Sequence, residues 1–197
     1  MGNQKDLPLA GIRVAEFGQF IAAPGAAMLL ADLGADVIKV EALRGDSARR
    51  FDGTSTQSPM FLAYNRGKRA MALDLRKPDG IDAARRLALS CDVVLHNARP
   101  GSMESLGLDA ATLRAARPEL IHASVTGFGT RGPSRLRPGL DIAAQAESGM
   151  MSVTGEAGGQ PLKVGFALID AATALATSNA IIAALFRRFR TGLGETI

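Results

Sequence analysis

The sequence predicts a doubly wound α/β domain with a mostly parallel, Rossmann-like sheet flanked by helices. Three observations carry this prediction: short β-branched runs recur along the chain, stretches of helical length separate them, and glycine or proline stands at most of the junctions. Strands that alternate with helices pair in parallel through right-handed crossovers. The 197 residues, of which 47% are hydrophobic, suffice for one substantial core.

The chain opens with a predicted βαβ unit. It comprises a strand over 12–17, a helix from Pro24 to Leu33 with glycine at its end, and a strand over 36–41. Glu41 stands where dinucleotide-binding folds place the carboxylate that binds ribose. The first turn, GQFIAAPG, nevertheless lacks the G-x-G-x-x-G spacing, so the sequence disfavours NAD binding.

The middle of the chain continues the alternation. Further strands are predicted over 70–75, 93–96 and 120–126, and helices over 78–90, near Met103 and over 109–117, with a long surface loop over 42–59. A literal G-x-G-x-x-G at Gly127, Gly129 and Gly132 is followed by Pro133 instead of a helix, which favours a flexible loop. The segments 18–22, 97–100 and 127–132 all follow strands, so we expect them to meet at one rim of the sheet.

The longest predicted helix lies in the stretch from Pro161 to Thr191, which is rich in alanine and leucine and ends in arginines and a glycine. Asp170 falls at its start. One interpretation makes Asp170 the N-cap, whose carboxylate accepts hydrogen bonds from the first-turn amides. The other makes it a nucleophile that attacks an activated acyl group. Spacing alone leaves both open.

Composition narrows the function classes. The net charge of +4 and the pI near 9.7 favour an anionic ligand, whereas one tyrosine, no tryptophan and no long basic tract disfavour nucleic acid. The single cysteine, Cys91, excludes an internal disulfide, and two histidines, His96 and His122, both within strands, make a metal site improbable. With no apolar run that spans a bilayer and no signal peptide, we expect a cytoplasmic protein without a membrane partner.

Several segments, in this order, resemble the family III CoA-transferases, a group that also contains α-methylacyl-CoA racemases. They are LAGIRVAEF, LADLGADVIKVE, YNRGKRAMALDL, the N-x-x-P-G turn at Asn97, SVTGFGTRGP, DIAAQAESGMMSVTGE and AALFRRFRTGLGE, between Leu7 and Ile197. The resemblance implies that 1–197 is the N-terminal, CoA-binding Rossmann-like part of the family's large domain, without the small domain and the C-terminal segment. It also implies a homodimer, interlocked in the full-length protein. Because 195–197 reads as the opening of another strand, we expect a shortened form.

By this resemblance Asp170 is the catalytic nucleophile, which forms an aspartyl anhydride and then an aspartyl-CoA thioester. Acyl-CoA and a small carboxylic acid are the implied substrates, and no tightly bound cofactor is implied. For the cations at 66–69, a solvated turn is the alternative. The implied CoA contacts are Ala22, Arg44, Asn65, Arg66, Lys68, Asn97, Ala98, Arg99 and Arg137.

The sequence departs from the family pattern at several places. Ala98 replaces a frequent aromatic residue, Ala174 replaces a usual glycine, and Ala42 stands where the family has a CoA-binding arginine, with Arg44 near enough to substitute. Leu140 replaces the histidine that racemases carry before the residue aligned with Asp141, so a second base for proton exchange is missing. Transferase activity is favoured over racemase activity, and a non-catalytic CoA-binding fragment is the third alternative.

Overall fold

A five-stranded, all-parallel sheet forms the centre of the computed structural model, which describes residues 6–53 and 57–197. The strand order is β3-β2-β1-β4-β5, so the chain reverses direction across the sheet between β1 and β4. This confirms the predicted doubly wound α/β fold. The strands are β1 Arg13–Phe17, β2 Asp36–Glu41, β3 Arg69–Ala72, β4 Val93–His96 and β5 Ile121–Ser124.

Seven α-helices accompany the sheet in the part of the chain that the structure describes. Two short helices, over 59–65 and 141–147, were not predicted from the sequence. Ser58 as N-cap and Pro59 at the first helical position do signal the first of them. Two 3-10 turns, Ser47–Arg50 and Met150–Val153, lie in the long loops. The helices are α1 Ala22–Asp32, α2 Pro59–Asn65, α3 Pro78–Ser90, α4 Ser102–Ser105, α5 Ala110–Ala116, α6 Asp141–Glu147 and α7 Leu168–Thr191.

Alternation along the strands divides the core into two clusters, one on each face of the sheet. Val14 belongs to the cluster covered by α1 and α7, whereas its neighbour Ala15 belongs to the cluster covered by α3 and α5. Val93 and Val94 on β4 divide in the same way. Cys91 is fully buried in the second cluster as a small core residue.

Close packing of α1 against α7 fixes the position of the helix that carries Asp170. A Cβ atom on Gly25 of α1 would lie 2.9 Å from the Cβ of Ala174 on α7, so the glycine admits the alanine side chain. Ala174, at the position where the resemblance implies a glycine, is accordingly buried. We infer that Gly25 supplies at this crossing the space that a glycine at 174 would otherwise supply.

Helix α7 ends as the sequence predicts. Gly192 adopts a left-handed conformation with φ 74°, and its N–H donates to the carbonyl of Arg188 at 2.7 Å. From the sequence we expected no run long and apolar enough to span a bilayer, but by length and composition α7 meets that test. Core helices of globular domains meet it as well. Thr196 then forms a parallel bridge to His122 beside β5, in agreement with the strand predicted to open at 195–197.

Candidate active site

A cleft of about 550 Å³ opens at the carboxyl edge of the sheet, above the β1–β4 switch point. Parallel sheets bind ligands at this place because the loops after the two neighbouring strands diverge there. The loops after β1, β4 and β5 line it, as predicted from 18–22, 97–100 and 127–132, together with the starts of α6 and α7. Of the residues predicted from sequence, the cleft brings together Ala22, Asn97, Ala98, Arg99, Arg137 and Asp170.

Asp170 lies in the first turn of α7 and is half-buried at the wall of the cleft. Burial raises the pKa of its carboxyl group, and the nearby charge of Asp141 raises it further. Within residues 6–53 and 57–197 no group donates a hydrogen bond to its carboxylate oxygens. A carboxylate that is basic and not engaged by donors is suited to attack an electrophile in the cleft.

The N-cap interpretation of Asp170 is wrong, because Asp141 caps α7 instead. One carboxylate oxygen of Asp141, Oδ1, accepts the backbone N–H of Ile169 at 2.8 Å and that of Asp170 at 3.1 Å. The other oxygen accepts Nε2 of the buried Gln145 at 2.6 Å. With the orphan amides satisfied by α6, the side chain of Asp170 is left to face the cleft.

The racemase histidine has no counterpart in the described lining of the cleft. Leu140 occupies the corresponding place and is 69% exposed at the cleft wall. His96 and His122 are buried on β4 and β5, with ring centroids 5.2 Å apart. Burial lowers the pKa of His96 to about 4 and also lowers that of His122. Both therefore serve as neutral packing residues.

Asn97 clamps the loop that follows β1. Its Oδ1 accepts the N–H of Gln19 at 2.9 Å, while its Nδ2 donates to the carbonyl of Gln19 at 2.8 Å. Phe20, the next residue, has φ 62°, an unusual value for a bulky side chain. The clamp therefore holds a strained loop in place at the floor of the cleft. Contact of Asn97 with CoA stays a prediction, and the structure adds a positioning role.

Two arginines, Arg99 and Arg137, line this cleft. Arg99 follows β4, is exposed, and has no acidic partner in the described part of the chain. Arg137 donates to both carboxylate oxygens of Glu147, with Nη1 3.0 Å from Oε2. The Cζ atom of Arg137 also lies 4.3 Å from the ring centroid of Phe128. The cleft thus presents one unpaired cation and one that a carboxylate already neutralises.

A second cleft, of about 450 Å³, adjoins the first and shares Phe17 and Gln19 with it. Arg44, one of the predicted CoA contacts, lines this second cleft together with Arg76. Glu41 is also in its lining, but its carboxylate takes a bidentate contact from Arg49 at 2.6 and 2.7 Å. The ribose-binding role disfavoured above would require breaking that pair.

Asn65, Arg66 and Lys68 line neither cleft. Arg66 pairs with Asp32 on the surface. The Nζ of Lys68 donates to Oε2 of Glu16 at 2.7 Å, to the carbonyl of Pro24 at 2.8 Å, and to Oδ1 of Asn65 at 2.9 Å. All three donors of Lys68 are thus used inside the protein, and its side chain is only 2% exposed. The predicted CoA contacts of these residues stay predictions, and in the structure their side chains bind other groups of the same chain, Arg66 at the surface and Lys68 in the interior.

Lys68 belongs to a buried charge cluster that was not predicted from the sequence. Glu16 on β1 also accepts Nζ of Lys39 on β2 at 2.9 Å, and Lys39 donates to the carbonyl of Gly18 at 2.8 Å. Asp46 Oδ2 lies 2.9 Å from Nζ of Lys39 as a charge pair, although the angle is not that of a hydrogen bond. A signal was present, since Glu16 and Lys39 carry opposite charges within two apolar strands and are register partners.

Comparison with known proteins gives consistent results. A family model described as CoA-transferase family III matches residues 9–197. The chain is 43% identical, over all of its length and 51% of the relative, to succinate–glutarate CoA-transferase of Agrobacterium fabrum. It is 38% identical, over 99% of its length and 44% of the relative, to the alpha subunit of succinyl-CoA–L-malate CoA-transferase of Chloroflexus aurantiacus.

Solved structures show the same relationship. A CAIB/BAIF family protein from Brucella suis superposes with a TM-score of 0.93 at 41% identity, covering 97% of this chain and 52% of the other. A protein of Mycobacterium tuberculosis, Rv3272, superposes with a TM-score of 0.88 at 41% identity, covering 97% and 53%. The chain therefore spans about half the length of the relatives it matches.

Proposed function

Because this chain belongs to CoA-transferase family III, we propose that the protein moves CoA from an acyl-CoA donor to a carboxylic acid acceptor. The main support for this proposal is the environment of Asp170, which lies in the cleft at the switch point of the sheet. Its carboxylate is half-buried, has a raised pKa, and accepts no hydrogen bond from the described part of the chain. The similar proteins from Agrobacterium and Chloroflexus bear the names of dicarboxylate CoA-transferases, which suggests dicarboxylic substrates for this chain.

The proposed mechanism uses Asp170 as a covalent carrier. A carboxylate oxygen of Asp170 attacks the thioester carbonyl, the C–S bond breaks, and CoA thiolate leaves behind a mixed anhydride. The thiolate then attacks the aspartyl carbonyl and releases the donor acid, so an aspartyl-CoA thioester remains. The acceptor carboxylate attacks this thioester, and the returning thiolate attacks the acceptor's carbonyl in the second anhydride. Acceptor-CoA and free Asp170 result, with no net gain or loss of water or electrons.

A carboxylate nucleophile suits this exchange better than a hydroxyl group would. An anhydride keeps the acyl group activated toward thiolate, whereas an ester would dissipate the activation. Asp141 assists Asp170 in two ways: its carboxylate accepts the backbone N–H of Asp170, and its negative charge raises the pKa of the Asp170 carboxyl group. A higher pKa increases the basicity of the attacking oxygen as long as the solution pH keeps it ionised.

For CoA, we propose a course along the two adjoining clefts. The thioester lies at Asp170, and the anionic diphosphate and 3'-phosphate extend toward cations without acidic partners. In the described chain Arg99 of the first cleft and Arg44 of the second fit this requirement. The shared wall at Phe17 and Gln19 makes the two clefts continuous enough for one elongated ligand.

The test is chemical trapping on the natural full-length protein, with the 197-residue chain assayed beside it. Incubation with succinyl-CoA and then hydroxylamine should leave a hydroxamate on the peptide that contains Asp170, read by mass spectrometry. Asp170→Asn, which has nearly the same volume, should abolish the adduct and lower transfer by more than about 10³-fold. Turnover by a protein whose Asp170 peptide is never modified would overturn the mechanism. Deuterium uptake at the α-carbon of a 2-methylacyl-CoA would instead support the racemase alternative.

We also propose that the full-length protein is a homodimer. Several large apolar side chains of α7 are exposed in the described chain, among them Phe189 at 90% and Phe186 at 65%. Such a surface is usually covered by another part of the protein or by a second subunit. The Chloroflexus relatives carry alpha and beta subunit names, so a two-subunit form is the alternative. Light scattering on the purified full-length protein distinguishes a monomer from both.

A further inference from the structure

A carboxylate already occupies the guanidinium fork of Arg137 at the wall of the catalytic cleft. Both oxygens of Glu147 accept from Arg137, one on each terminal nitrogen, which is the side-on bidentate arrangement that guanidinium and carboxylate groups favour. Phe128 supports the guanidinium from its face. Arg137 lines the cleft, whereas Glu147 does not, so the pair brings a carboxylate to the edge of the site from outside.

We propose that Arg137 binds the second carboxylate of a dicarboxylic acyl donor or acceptor, and that Glu147 holds this position until the substrate displaces it. The inference rests on the proposed CoA transfer at Asp170 and adds to it a site for the part of the substrate that does not react. Arg137 was predicted from sequence as a CoA contact, and the structure points to this different ligand.

The position of Arg137 relative to Asp170 supports this assignment. Arg137 and Asp141 lie on one short segment, and Asp141 binds the amide of Asp170 directly. Gly139, between them, packs on Gly127 so closely that a Cβ on either would lie 2.3 Å from the other's Cα. This backbone contact fixes the segment against the loop after β5. The guanidinium is therefore tied to the same rigid frame as the nucleophile.

The other cations of the clefts are better placed for phosphates. Arg99 follows β4 in the first cleft and Arg44 lies in the second cleft, and neither has an acidic partner in the described chain. Phosphates of CoA need no displacement at these two positions. Arg137, by contrast, has a planar fork preset for a carboxylate and an aromatic face behind it. The division of ligands follows from these differences.

Displacement of Glu147 costs a substrate little. The side chains of Arg137 and Glu147 are 50% and 44% exposed, and exposed ion pairs contribute little to stability because water and salt screen them. Removing the charge of Glu147 should consequently lower the KM for a dicarboxylate by only about two- to fivefold. Removing the guanidinium group of Arg137 should raise the KM for a dicarboxylate by about 10- to 100-fold, because the substrate then loses hydrogen bonds to a charged group.

The experiment compares acceptors in CoA transfer by the full-length protein, with glutarate as the dicarboxylate and pentanoate as the matched monocarboxylate. The donor is butanoyl-CoA, whose acyl group carries no second carboxylate for Arg137 to bind. Arg137→Gln should raise the KM for glutarate and leave that for pentanoate and for the acyl-CoA within about twofold, and Glu147→Gln should lower the KM for glutarate alone. Arg135→Gln removes the same charge two positions away, outside the lining of either cleft, and should change neither.

The outcomes separate this proposal from the proposed function. Equal losses with both acceptors in Arg137→Gln, or a raised KM for acyl-CoA, would show a CoA-phosphate contact and overturn the proposal while transfer itself stands. A KM for glutarate unchanged by Arg137→Gln would overturn it as well. Absence of transfer in the unmodified protein, with every donor and acceptor tried, would instead refute the proposed function. Circular dichroism of each variant controls for misfolding.

Discussion

Replacing Glu16 by glutamine tests whether the buried charge cluster holds the floor of the site together. Glu16 is fully buried and accepts one ammonium on each carboxylate oxygen, from Lys39 and from Lys68. Glutamine preserves the shape but offers only one acceptor and places an NH₂ group against the second ammonium. The two lysines then lack their shared counter-charge, and only Asp46 still pairs with Lys39.

The magnitude follows from the pKa values of the two lysines. Burial lowers the pKa of Lys68 to about 8, and Glu16 opposes this decrease. In the variant at pH 7, Lys68 can avoid an unpaired buried charge by losing its proton, which costs about 1 kcal/mol. Burial also opposes the charge of Lys39, but Glu16 and Asp46 raise its pKa above the ordinary value. Lys39 therefore stays charged and loses one strong hydrogen bond, worth about 2 kcal/mol.

The sum is a loss of about 3 kcal/mol in the free energy of unfolding at pH 7, or a Tm lower by roughly 6–12 °C. Urea unfolding followed by far-ultraviolet circular dichroism measures it, with Glu104→Gln, an exposed carboxylate, as the control. At pH 9 Lys68 is largely neutral in the unmodified protein too, so the deficit should shrink by about 1 kcal/mol. A deficit below 1 kcal/mol at pH 7, or one that grows at pH 9, would show that Glu16 does not hold the two lysines in this way.

Three further predictions concern the groups around the cleft. Asp141→Ala should lower the pKa of Asp170, because it removes a neighbouring negative charge, and should therefore shift the acid limb of the pH–rate profile to lower pH. The same change should lower the free energy of unfolding by about 1 kcal/mol, because α7 loses its cap. An acid limb that stays in place would contradict this. In Asn97→Asp a carboxylate would face the carbonyl of Gln19 and repel it, so the loop after β1 would be released and the KM for acyl-CoA should rise about 10-fold. An unchanged KM would show that this contact is dispensable for binding. The buried histidines should destabilise the protein in acid: the unfolded chain takes up a proton near pH 6.5, whereas the pKa of His96 is about 4 in the fold, so stability falls between these values by up to about 3 kcal/mol. His96→Asn should make urea midpoints at pH 7 and pH 4.5 more alike, and an equal acid loss in this variant would argue against the assignment.

The amino-acid sequence determined the fold class and most of the elements of this protein. Periodicity, together with glycine and proline at the junctions, predicted all five strands and the long helix that ends at Gly192. Because parallel strands place their carboxyl ends at one edge, the sequence also predicted that the loops after β1, β4 and β5 meet in a cleft. These features depend on local preference and topology, which sequence spacing encodes directly.

The pairing of polar groups, in contrast, follows from contacts between distant segments of the chain. By its position in the sequence Asp170 could be the N-cap of α7, and only the structure shows that α6 brings Asp141 to the amides of Ile169 and Asp170 instead. The role of Asp170 as nucleophile stays a prediction. The sequence predicted Lys68 to be a ligand-binding cation, whereas in the structure its ammonium group donates to three acceptors inside the protein. A side chain's partners come from segments tens of residues away, and the energy of a buried charge depends on those partners and on exclusion of water. Neither quantity is set by the residue's own neighbours in sequence.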